Sequence, residues 1–535
     1  MKFQFKDYRN WRQKTVTEYK KYYLDKLPSL NFLLLFQPSL LVIYFVLVRY
    51  NVNIDELSSV DLFSVFLVFL PTIIFFSFIP RLLIKNLTKY ILILSSLVVL
   101  FFSYTSIHGF LYEYSAFGYS IGSHKILIPL LLILVILEIY FLIKSNKQFD
   151  KILIILTGFV FSLIIFVAID VVMISNIEPL SEYNSEQVFS FDQNNLRDIY
   201  VITLDEYLGT KSLMTKFNYD NSDFDNFLQE RGFFIPENSF SNYMETRLAL
   251  PSFLNMNYVN IDYESKREQD MVFQKITRNN LVMNNFKEIG YEIVYFHEEN
   301  NLKPVESSEN KLCSTFFNNN FLLFVLHDTP LVIFNNLTDP FNLQQYIENR
   351  LCIFDKLSSL DEEFSNPILV HAHIMLPHGP VIFDSVGNTI FEKDLHAAGP
   401  SKYTEQLQYA NSKVKEVVEN LQNQNPQPII IIQSDHGYRW DFNWNDPTDD
   451  QFTIPYSNFI ALYFPEKEIS SEDFPLMTPV NIYRILFNTY FGTNYELLEN
   501  KMYFRDNYYT EIEGIPSMRD ITDTLISNNT SVIVQ

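Results

Sequence analysis

Two metal-binding side chains follow a strongly apolar run in the second half of the sequence. The run "PIIIIQ" is followed, after one serine, by Asp435 and His436. An uninterrupted apolar run of this length predicts a strand buried on both faces of a mostly parallel sheet. Ligands of open α/β sheets bind just beyond the carboxyl ends of the strands. The run therefore predicts a rigid support that holds a carboxylate and an imidazole at the edge of a sheet.

Three more places resemble parts of the same site. Asp205 ends the predicted strand "DIYVITL", His378 follows the predicted strand "PILVHAHIM", and Thr246 lies where a loop is predicted to enter a helix. Each has an ordinary explanation by itself, because Asp and Thr commonly cap turns and helices and the histidines can simply be packed or exposed. Asp-His-Gly after a buried strand is harder to explain by capping. Together the four places favour a metal site.

The elements between these places predict the fold class. Short apolar strands such as "YEIVYF" alternate with amphipathic helices such as "SKYTEQLQYANSKVKEVVENLQ". This alternation predicts an α/β domain, with a mostly parallel sheet and helices on both faces. No internal repeat is visible.

The first third of the chain has a different character. Five apolar segments have about the 17–25 residues that a membrane-spanning helix needs, namely 30–48, 62–79, 90–107, 126–143 and 152–174. The third contains four serines and a threonine and is the weakest of them. A cleaved signal peptide is not expected, because the first run is too long and four others follow.

The positions of the basic residues predict the orientation. Lys and Arg are concentrated in the first 26 residues, at 81–89 and at 144–151, whereas the alternate loops contain almost none. The positive-inside rule therefore places the N-terminus in the cytoplasm. Five crossings then place everything after about residue 175 outside the cell membrane. The predicted division is a basic cytoplasmic segment (1–28), a five-span transmembrane domain (29–175), a linker (176–197), an extracytoplasmic catalytic domain (198–515) and a polar C-terminal tail (516–535).

Charge and cysteine content limit the partners and the chemistry. The first 174 residues carry 16 Lys and Arg against 10 Asp and Glu, whereas the whole chain has a net charge of −22, so the remainder carries −28. A domain this acidic repels nucleic acid. Cys313 and Cys352 both lie in the external part, where a disulfide is permitted but two free thiols are equally compatible.

The motifs of residues 198–504 resemble the membrane-anchored, sulfatase-like branch of the alkaline phosphatase superfamily. They are "VITLDEY", "SNYMETRLALPSFLNM", "HIMLPHGP", "QLQYANSKV", "IIIIQSDHG" and "TPVNIYRILFNTYFG", in the order of that family. The branch includes lipoteichoic acid synthases and lipid A phosphoethanolamine transferases, and the five spans also match the transferases. The resemblance implies an alkaline-phosphatase-like fold.

The resemblance also implies the roles of individual residues. Asp205, Thr246, Asp435 and His436 are expected to hold one divalent metal ion, Zn or Mn, with Thr246 as the nucleophile. "PHGP" is similar to the stretch that binds the transferred group in the transferases, which implies a substrate-binding and catalytic role for His378. Any histidine for a second metal is expected among His371, His373, His378 and His396, because none follows His436.

Two residues near these motifs are additional candidates for substrate binding. Arg439 follows His436 by three positions and can pair with phosphate oxygens, although a surface salt bridge is an equal alternative. His373 shares one face of its predicted strand with His371, so both can point to the site. The pattern that carries the reactive Cys or Ser of sulfatases is missing, since "METRL" offers only Thr246, which argues against a formylglycine sulfatase.

These expectations lead to a phosphotransferase. A bound divalent cation lowers the pKa of an attached oxygen by several units and offsets the negative charge of a phosphate. Thr246 is expected to attack the phosphorus of a lipid headgroup, of phosphoglycerol or phosphoethanolamine type, and an extracytoplasmic glycan or lipid acceptor then displaces it. The nearest alternative is a hydrolase of the same superfamily, a phosphodiesterase or sulfatase. An inactive scaffold is a third alternative, which the intact set of site residues disfavours.

Overall fold

The structure of the chain is a computed structural model that divides into two compact units. It describes residues 35–54, 57, 59–78, 86–116, 119–177, 189–191, 196–259, 265–297, 313, 320–334, 343–360, 363–390, 399–470, 472, 474–506 and 517–532. The first unit comprises residues 1–175 and 317–342, and the second comprises 176–316 and 343–535. The segment 317–342 therefore groups with the N-terminal part of the chain although the sequence on both sides of it belongs to the second unit.

The first unit is built from apolar helices. In chain order these are α1 (Gln37–Val52), α2 (Ser59–Phe78), α3 (Leu87–Phe102), α4 (Tyr104–Tyr112), α5 (His124–Lys144) and α6 (Asp150–Ser175), with a two-stranded hairpin of β1 (Ser115–Ala116) and β2 (Tyr119–Ser120) between α4 and α5. Most side chains of α5 and α6 are exposed although they are apolar. Such helices need a hydrocarbon environment rather than water.

Five membrane spans are more than the structure shows. Among the described residues α2, α5 and α6 are long and apolar enough to cross a membrane, and α3 with α4 makes a fourth span only if the two helices, bent by 56°, count as one. The first predicted span, 30–48, overlaps the 16-residue helix α1, but residues 30–34 lie outside the described part of the chain. The predicted cytoplasmic segment, 1–28, also lies outside it.

The second unit contains a five-stranded sheet with the order β4-β5-β3-β6-β7. Its strands are β3 (Ile199–Leu204), β4 (Glu292–His297), β5 (Ile368–Ile374), β6 (Ile429–Ser434) and β7 (Ile460–Tyr463). The first four are parallel and β7 is antiparallel to β6. The predicted α/β class with a mostly parallel sheet is confirmed, and the antiparallel edge strand is an addition to it.

Helices cover both faces of the sheet. The remaining helices of the chain, in order, are α7 (Thr210–Phe217), α8 (Ser222–Glu230), α9 (Thr246–Leu254), α10 (Lys266–Arg278), α11 (Leu281–Ile289), α12 (Asn320–His327, in the first unit), α13 (Leu343–Leu357), α14 (Gly399–Gln422), α15 (Thr453–Tyr456), α16 (Ile482–Tyr490) and α17 (Thr522–Val532). Ile430 and Ile432 join one hydrophobic core, with α14, and Ile429 and Ile431 join the other, with α11 and α16. Each buried isoleucine contributes about 1.5–3 kcal/mol, so the run that looked uniform in sequence fixes β6 from both sides.

Two further features complete the second unit. A disulfide joins Cys313 to Cys352, with 5.8 Å between their Cα atoms, which decides between the two alternatives that the sequence left open. Part of the segment assigned to a polar tail is folded: β9 (Ser517–Asp520) pairs with β8 (Tyr503–Asp506), and α17 follows. The physical reason is the burial of Ile521 and Leu525 in a small aromatic core.

Candidate metal centre

The candidate site lies where three neighbouring strands of the second unit end. Asp205 is the residue after β3, and Asp435 and His436 follow β6, which is the neighbour of β3. His373 lies near the end of β5, on the other side of β3. Because the three strands are parallel, their carboxyl ends meet at one edge. This arrangement brings together side chains that are up to 231 positions apart in the sequence.

Three of these side chains offer ligand atoms at metal-binding separations. One atom each from Asp205, Asp435 and His436 lie within 4.8 Å of one another, and all three residues are buried. Asp205 Oδ1 is buried and accepts no hydrogen bond from the described residues. A buried carboxylate oxygen in this state is costly unless a cation or a proton compensates it. Two carboxylates and an imidazole fit a divalent ion such as Zn or Mn.

The pKa values of the two carboxylates are shifted in opposite directions. Burial, reinforced by the charge of Asp435, raises the pKa of Asp205 well above its usual range. Burial would also raise the pKa of Asp435, but the neighbouring His436 and His373 and the hydrogen bond from Thr246 together lower it. Two like charges at this distance disfavour double ionisation. A divalent cation removes this conflict.

His436 is held in the form that binds metals. Burial lowers the pKa of His436 to about 4, so the imidazole is neutral at physiological pH. Its Nδ1 lies 2.9 Å from the carbonyl oxygen of Gly437. That nitrogen therefore carries the proton, and the lone pair of Nε2 points to the carboxylates, at 3.4 Å from Asp435 Oδ2. A backbone acceptor behind a metal-binding histidine is a common way to fix its tautomer.

Thr246 brings a hydroxyl group to the same place. It is the first residue of α9, and its Oγ1 donates a hydrogen bond of 2.7 Å to Asp435 Oδ2 and lies 3.2 Å from His436 Nε2. The N-terminus of a helix carries partial positive charge that favours an anion nearby. The predicted ligand set thus occupies one cluster, and its hydroxyl group belongs to a residue that is only half-buried.

His373 lies beneath the cluster. Its Nε2 is 3.6 Å from both Asp205 Oδ2 and Asp435 Oδ2, and the side chain is fully buried. Its neighbour on the strand, His371, instead lies 3.0 Å from Thr203 Oγ1 and packs against the rings of Phe253 and Tyr295. Of the two histidines that the sequence placed on one strand face, only His373 reaches the site.

His378 and Arg439 lie at the rim of the site, around an acid that the sequence analysis did not assign. His378 is a quarter exposed, and its Nε2 is 4.0 Å from Glu206 Oε1. Arg439 Nε lies 3.3 Å from the same oxygen, and its Nη1 donates to the carbonyl of Met244. The indole of Trp440 also donates to Glu206. Arg439 is thus paired with a buried acid, whereas the salt-bridge alternative was a surface pair, and its role in substrate binding stays a prediction.

Glu206 was detectable only as the second acid of "LDEY". Its backbone adopts φ 59°, a conformation that non-glycine residues rarely take. A hydrogen bond from its own N–H to Asp435 Oδ1 and one from the Tyr403 hydroxyl to its carbonyl hold it there. The turn aims Asp205 and Glu206 at adjacent parts of one site. His396 lies outside the described residues.

A second buried cluster supports Thr246 from behind. Glu245, which immediately precedes Thr246, is buried and receives two hydrogen bonds from the fully buried guanidinium of Arg505, at 3.2 and 2.5 Å. Arg505 also lies 3.5 Å from Asp270, which in turn lies 3.8 Å from Arg247. No role could be assigned to Glu245 or Arg247 from the sequence, because their partners are distant in the chain.

Comparison with known proteins gives matches among solved structures alone. No protein-family model matches the chain, and no curated protein matches it. The chain is similar to the C-terminal periplasmic domain of EptC from Escherichia coli in complex with Zn, at 12% identity and a TM-score of 0.40, over 63% of this chain and 96% of that domain. It is also similar to the integral membrane protein lipooligosaccharide phosphoethanolamine transferase A from Neisseria meningitidis, at 13% identity and a TM-score of 0.40, over 86% and 94% of the two chains.

A third similar structure is the lipoteichoic acid synthase LtaP from Listeria monocytogenes, at 11% identity and a TM-score of 0.35, over 64% of this chain and 96% of that one. These structures are of the kind that the sequence motifs resemble. At such identities and TM-scores these likenesses carry no conclusion about this chain, whose chemistry follows from its own residues.

Proposed function

We propose that the chain is a membrane-bound, metal-dependent phosphotransferase. It moves a phosphorylated lipid headgroup, of phosphoglycerol or phosphoethanolamine type, to an extracytoplasmic glycan or lipid through a phosphothreonine intermediate at Thr246. The observation that carries this proposal is the contact of one hydroxyl group, at a helix N-terminus, with a buried group of two carboxylates and a neutral imidazole.

Asp205, Asp435, His436 and Thr246 would hold a divalent cation, which supplies charge neutralisation and activates an attached oxygen. The hydroxyl of Thr246 already donates to Asp435, so its proton has an acceptor before the reaction begins. The Thr246 Oγ–P bond forms as the P–O bond to diacylglycerol breaks. His378, partly exposed at the rim, is placed to give a proton to the departing oxygen.

The second half of the reaction reverses the first. An acceptor hydroxyl attacks the phosphorus of the phosphothreonine, its proton passes to the histidine that gave one up, and the Thr246 hydroxyl is restored. Alignment and charge neutralisation are the main requirements of phosphoryl transfer. Both are supplied here by groups attached to the ends of buried strands.

A lipid donor follows from the attachment of this site to apolar helices in the same chain. Three such helices among the described residues are long enough to cross a membrane, which is more than an anchor needs, and lipid headgroups are presented at the membrane surface. The proposed orientation, with the N-terminus cytoplasmic and the catalytic domain outside, is based on the positions of the basic residues, and the proposed domain division is the one predicted from the sequence.

Labelling of the nucleophile tests the proposal. The purified full chain, loaded with zinc or manganese, is incubated with phosphatidylglycerol or phosphatidylethanolamine labelled in the headgroup, and peptides are analysed by mass spectrometry. We expect the headgroup phosphate on the peptide that contains Thr246, and none on Thr246→Ala. An unlabelled Thr246 with both lipids, in protein of full metal content, would contradict transfer from these donors.

The same reaction separates the transferase from its hydrolase alternative. Release of free phosphoglycerol or phosphoethanolamine at the full rate without any acceptor would indicate that water resolves the intermediate. Accumulation of the labelled intermediate, discharged only when glycan or lipid hydroxyls are added, indicates transfer. Full turnover by Thr246→Ala would remove the nucleophile from the proposal altogether.

A further inference from the structure

The inference concerns an apolar insertion, residues 320–334, in the second half of the chain. Its sequence, "NFLLFVLHDTPLVIF", has ten apolar residues and a single formal charge, that of Asp328. It folds as the short helix α12 followed by a 3-10 turn, Pro330–Phe334. It is too short to span a membrane and too apolar for an ordinary surface loop.

The insertion belongs to the unit of apolar helices and not to the unit from which it emerges. Its one charge is neutralised there, since Asp328 Oδ2 lies 2.6 Å from Nε of Arg49, near the C-terminal end of α1. The backbone N–H and the hydroxyl of Thr105, at the start of α4, donate to the carbonyl of Asp328. The ring of Phe321 packs edge-on against Tyr50.

These contacts define where along the helices of the first unit the insertion lies. Arg49 and Thr105 both lie where a helix ends or bends, so the polar atoms of the insertion meet the polar ends of the helices. If α5 and α6 both cross the membrane, the end of α6 at Ser175, from which the chain leaves for the second unit, lies on this same side. The insertion therefore sits at the level of the membrane boundary.

Three apolar side chains of the insertion are about half exposed. Phe324 is 40% exposed, Ile333 45% and Phe334 54%. Helix α12 packs against α2, on which the apolar side chains of Phe63 and Leu67 are also exposed. Because exposed apolar side chains of a spanning helix face hydrocarbon, the exposed apolar side chains of a segment packed against such a helix fit the same environment.

We propose that residues 320–334 are an interfacial membrane anchor: Phe324, Ile333 and Phe334 enter the lipid leaflet at this end of the helices, while Asp328 fixes the segment to Arg49 and Thr105. Short amphipathic segments bind at the boundary between headgroups and acyl chains in this way. The Cys313–Cys352 disulfide closes the chain at the base of the insertion.

The cysteine content of the chain makes a direct test simple. The sequence has only two cysteines, and they are joined to each other, so one introduced cysteine is the only free thiol. The full chain carrying Phe334→Cys is labelled with an environment-sensitive fluorophore and reconstituted in vesicles of phosphatidylethanolamine and phosphatidylglycerol. Quenching is measured with lipids that carry a nitroxide on the upper acyl chain, and with iodide in the water.

Two variants calibrate the measurement. Phe166→Cys, on α6, and Val386→Cys, in a turn of the second unit, replace side chains that are 72% and 77% exposed. The label at 166 gives the quenching expected of a fluorophore in lipid, and the label at 386 gives that of a fluorophore in water. Phe324→Cys repeats the test from α12 in case Phe334→Cys folds poorly, and the intact disulfide is checked by mass spectrometry in each variant.

We expect labels at 334 and 324 to be quenched by the lipid nitroxide at least about fivefold more than the label at 386, and to be protected from iodide. Iodide quenching equal to that at 386 would overturn the proposal. Protection from both quenchers would also overturn it, because the apolar face would then be covered by protein, such as a second copy of the chain.

Discussion

Two buried charge clusters flank Thr246, and they differ in how their charges are balanced. The cluster in front contains the carboxylates of Asp205, Asp435 and Glu206 and one guanidinium, that of Arg439. The cluster behind contains two carboxylates, Glu245 and Asp270, and the two guanidinium groups of Arg505 and Arg247. The front cluster is short of positive charge, whereas the rear cluster is balanced by the protein itself.

This difference in charge balance distinguishes a cluster that binds a ligand from a cluster that is only structural. Burying a carboxylate without a partner costs several kcal/mol, so a chain that keeps such a cluster leaves it to be completed by a bound cation. The rear cluster needs no ligand, and its bidentate pair fixes the residue that precedes the nucleophile. Substituting one charged residue of the front cluster should therefore reduce metal binding and activity but not stability. Substituting one charged residue of the rear cluster should reduce stability but leave the metal bound.

The largest effect is expected from Asp435→Asn in the front cluster. It removes a ligand charge and the acceptor of the Thr246 proton, so we expect activity to fall by about 10³-fold or more and the bound metal to be lost. The free energy of unfolding of the metal-free protein should not fall, because the substitution relieves repulsion with Asp205. Metal content by elemental analysis and thermal unfolding in detergent measure the two effects.

The matched control for this prediction is Asp441→Asn, which makes the same chemical change at a side chain that is 59% exposed and paired with Lys216. We expect full metal content and nearly full activity. If Asp435→Asn kept its metal, or if the metal-free variant unfolded several degrees below the metal-free parent, the front cluster would be a structural ion network like the rear one.

The rear cluster should respond in stability and leave the metal in place. Arg505→Met removes the guanidinium that neutralises the carboxylates of Glu245 and Asp270, and we expect a loss of about 3–5 kcal/mol in the free energy of unfolding. The double variant with Arg505→Met and Glu245→Gln should regain part of the lost free energy of unfolding, because it no longer buries the charge of Glu245. The variant protein that remains folded should still bind one equivalent of metal.

Arg519→Met is the control for Arg505→Met, because Arg519 is 43% exposed and pairs with Asp506. A surface pair of this kind contributes about 0–1 kcal/mol. Equal effects of the two methionine substitutions would show that the rear cluster is not held as the structure places it. Loss of metal in the folded fraction of Arg505→Met would show that the two clusters are not separable.

The two clusters also differ in how far the sequence predicts them. Asp205, Asp435 and His436 of the front cluster were predictable because each follows a recognisable apolar strand, and parallel strands end at one edge, whereas Glu206 was not assigned. The Glu245–Arg505 pair joins residues 260 positions apart, and neither position has a pattern around it that indicates burial. Local patterns place a side chain on an element, but pairing of distant charges needs the tertiary structure.

The same limit explains the differences in the fold. A window of apolar composition predicts α2, α5 and α6, but it does not show that α3 bends into α4 at Ser103. The tail was assigned from its polar composition, although two buried side chains, Ile521 and Leu525, are enough to dock α17. The apolar insertion escaped notice because its 15 residues are too few for a membrane span.

The smallest expected effect is on the pH dependence of stability. It compares His371, which packs against apolar rings, with His436, which belongs to the candidate metal site. Burial, together with the nearby His373, lowers the pKa of His371 to about 3, whereas an unfolded chain titrates its histidines near pH 6.5. Between pH 6.5 and about 3 the unfolded state therefore binds a proton that the folded state does not. Stability falls as the pH falls through this window, by at most about 1.4 kcal/mol per pH unit for one histidine.

His371→Gln should make stability less dependent on pH, by the contribution of the one proton that His371 takes up on unfolding. The measurement is the free energy of unfolding of the metal-free protein between pH 6.5 and pH 4. His436 has its own lowered pKa, of about 4, so a slope remains in the variant. Zinc should not remove it, because a metal-bound imidazole takes up no proton in the folded state until the metal leaves, whereas the unfolded chain still does. His371 packs against apolar rings, so the difference between the slopes of the parent protein and His371→Gln should be the same with and without zinc. Loss of bound zinc from His371→Gln would place this histidine among the ligands.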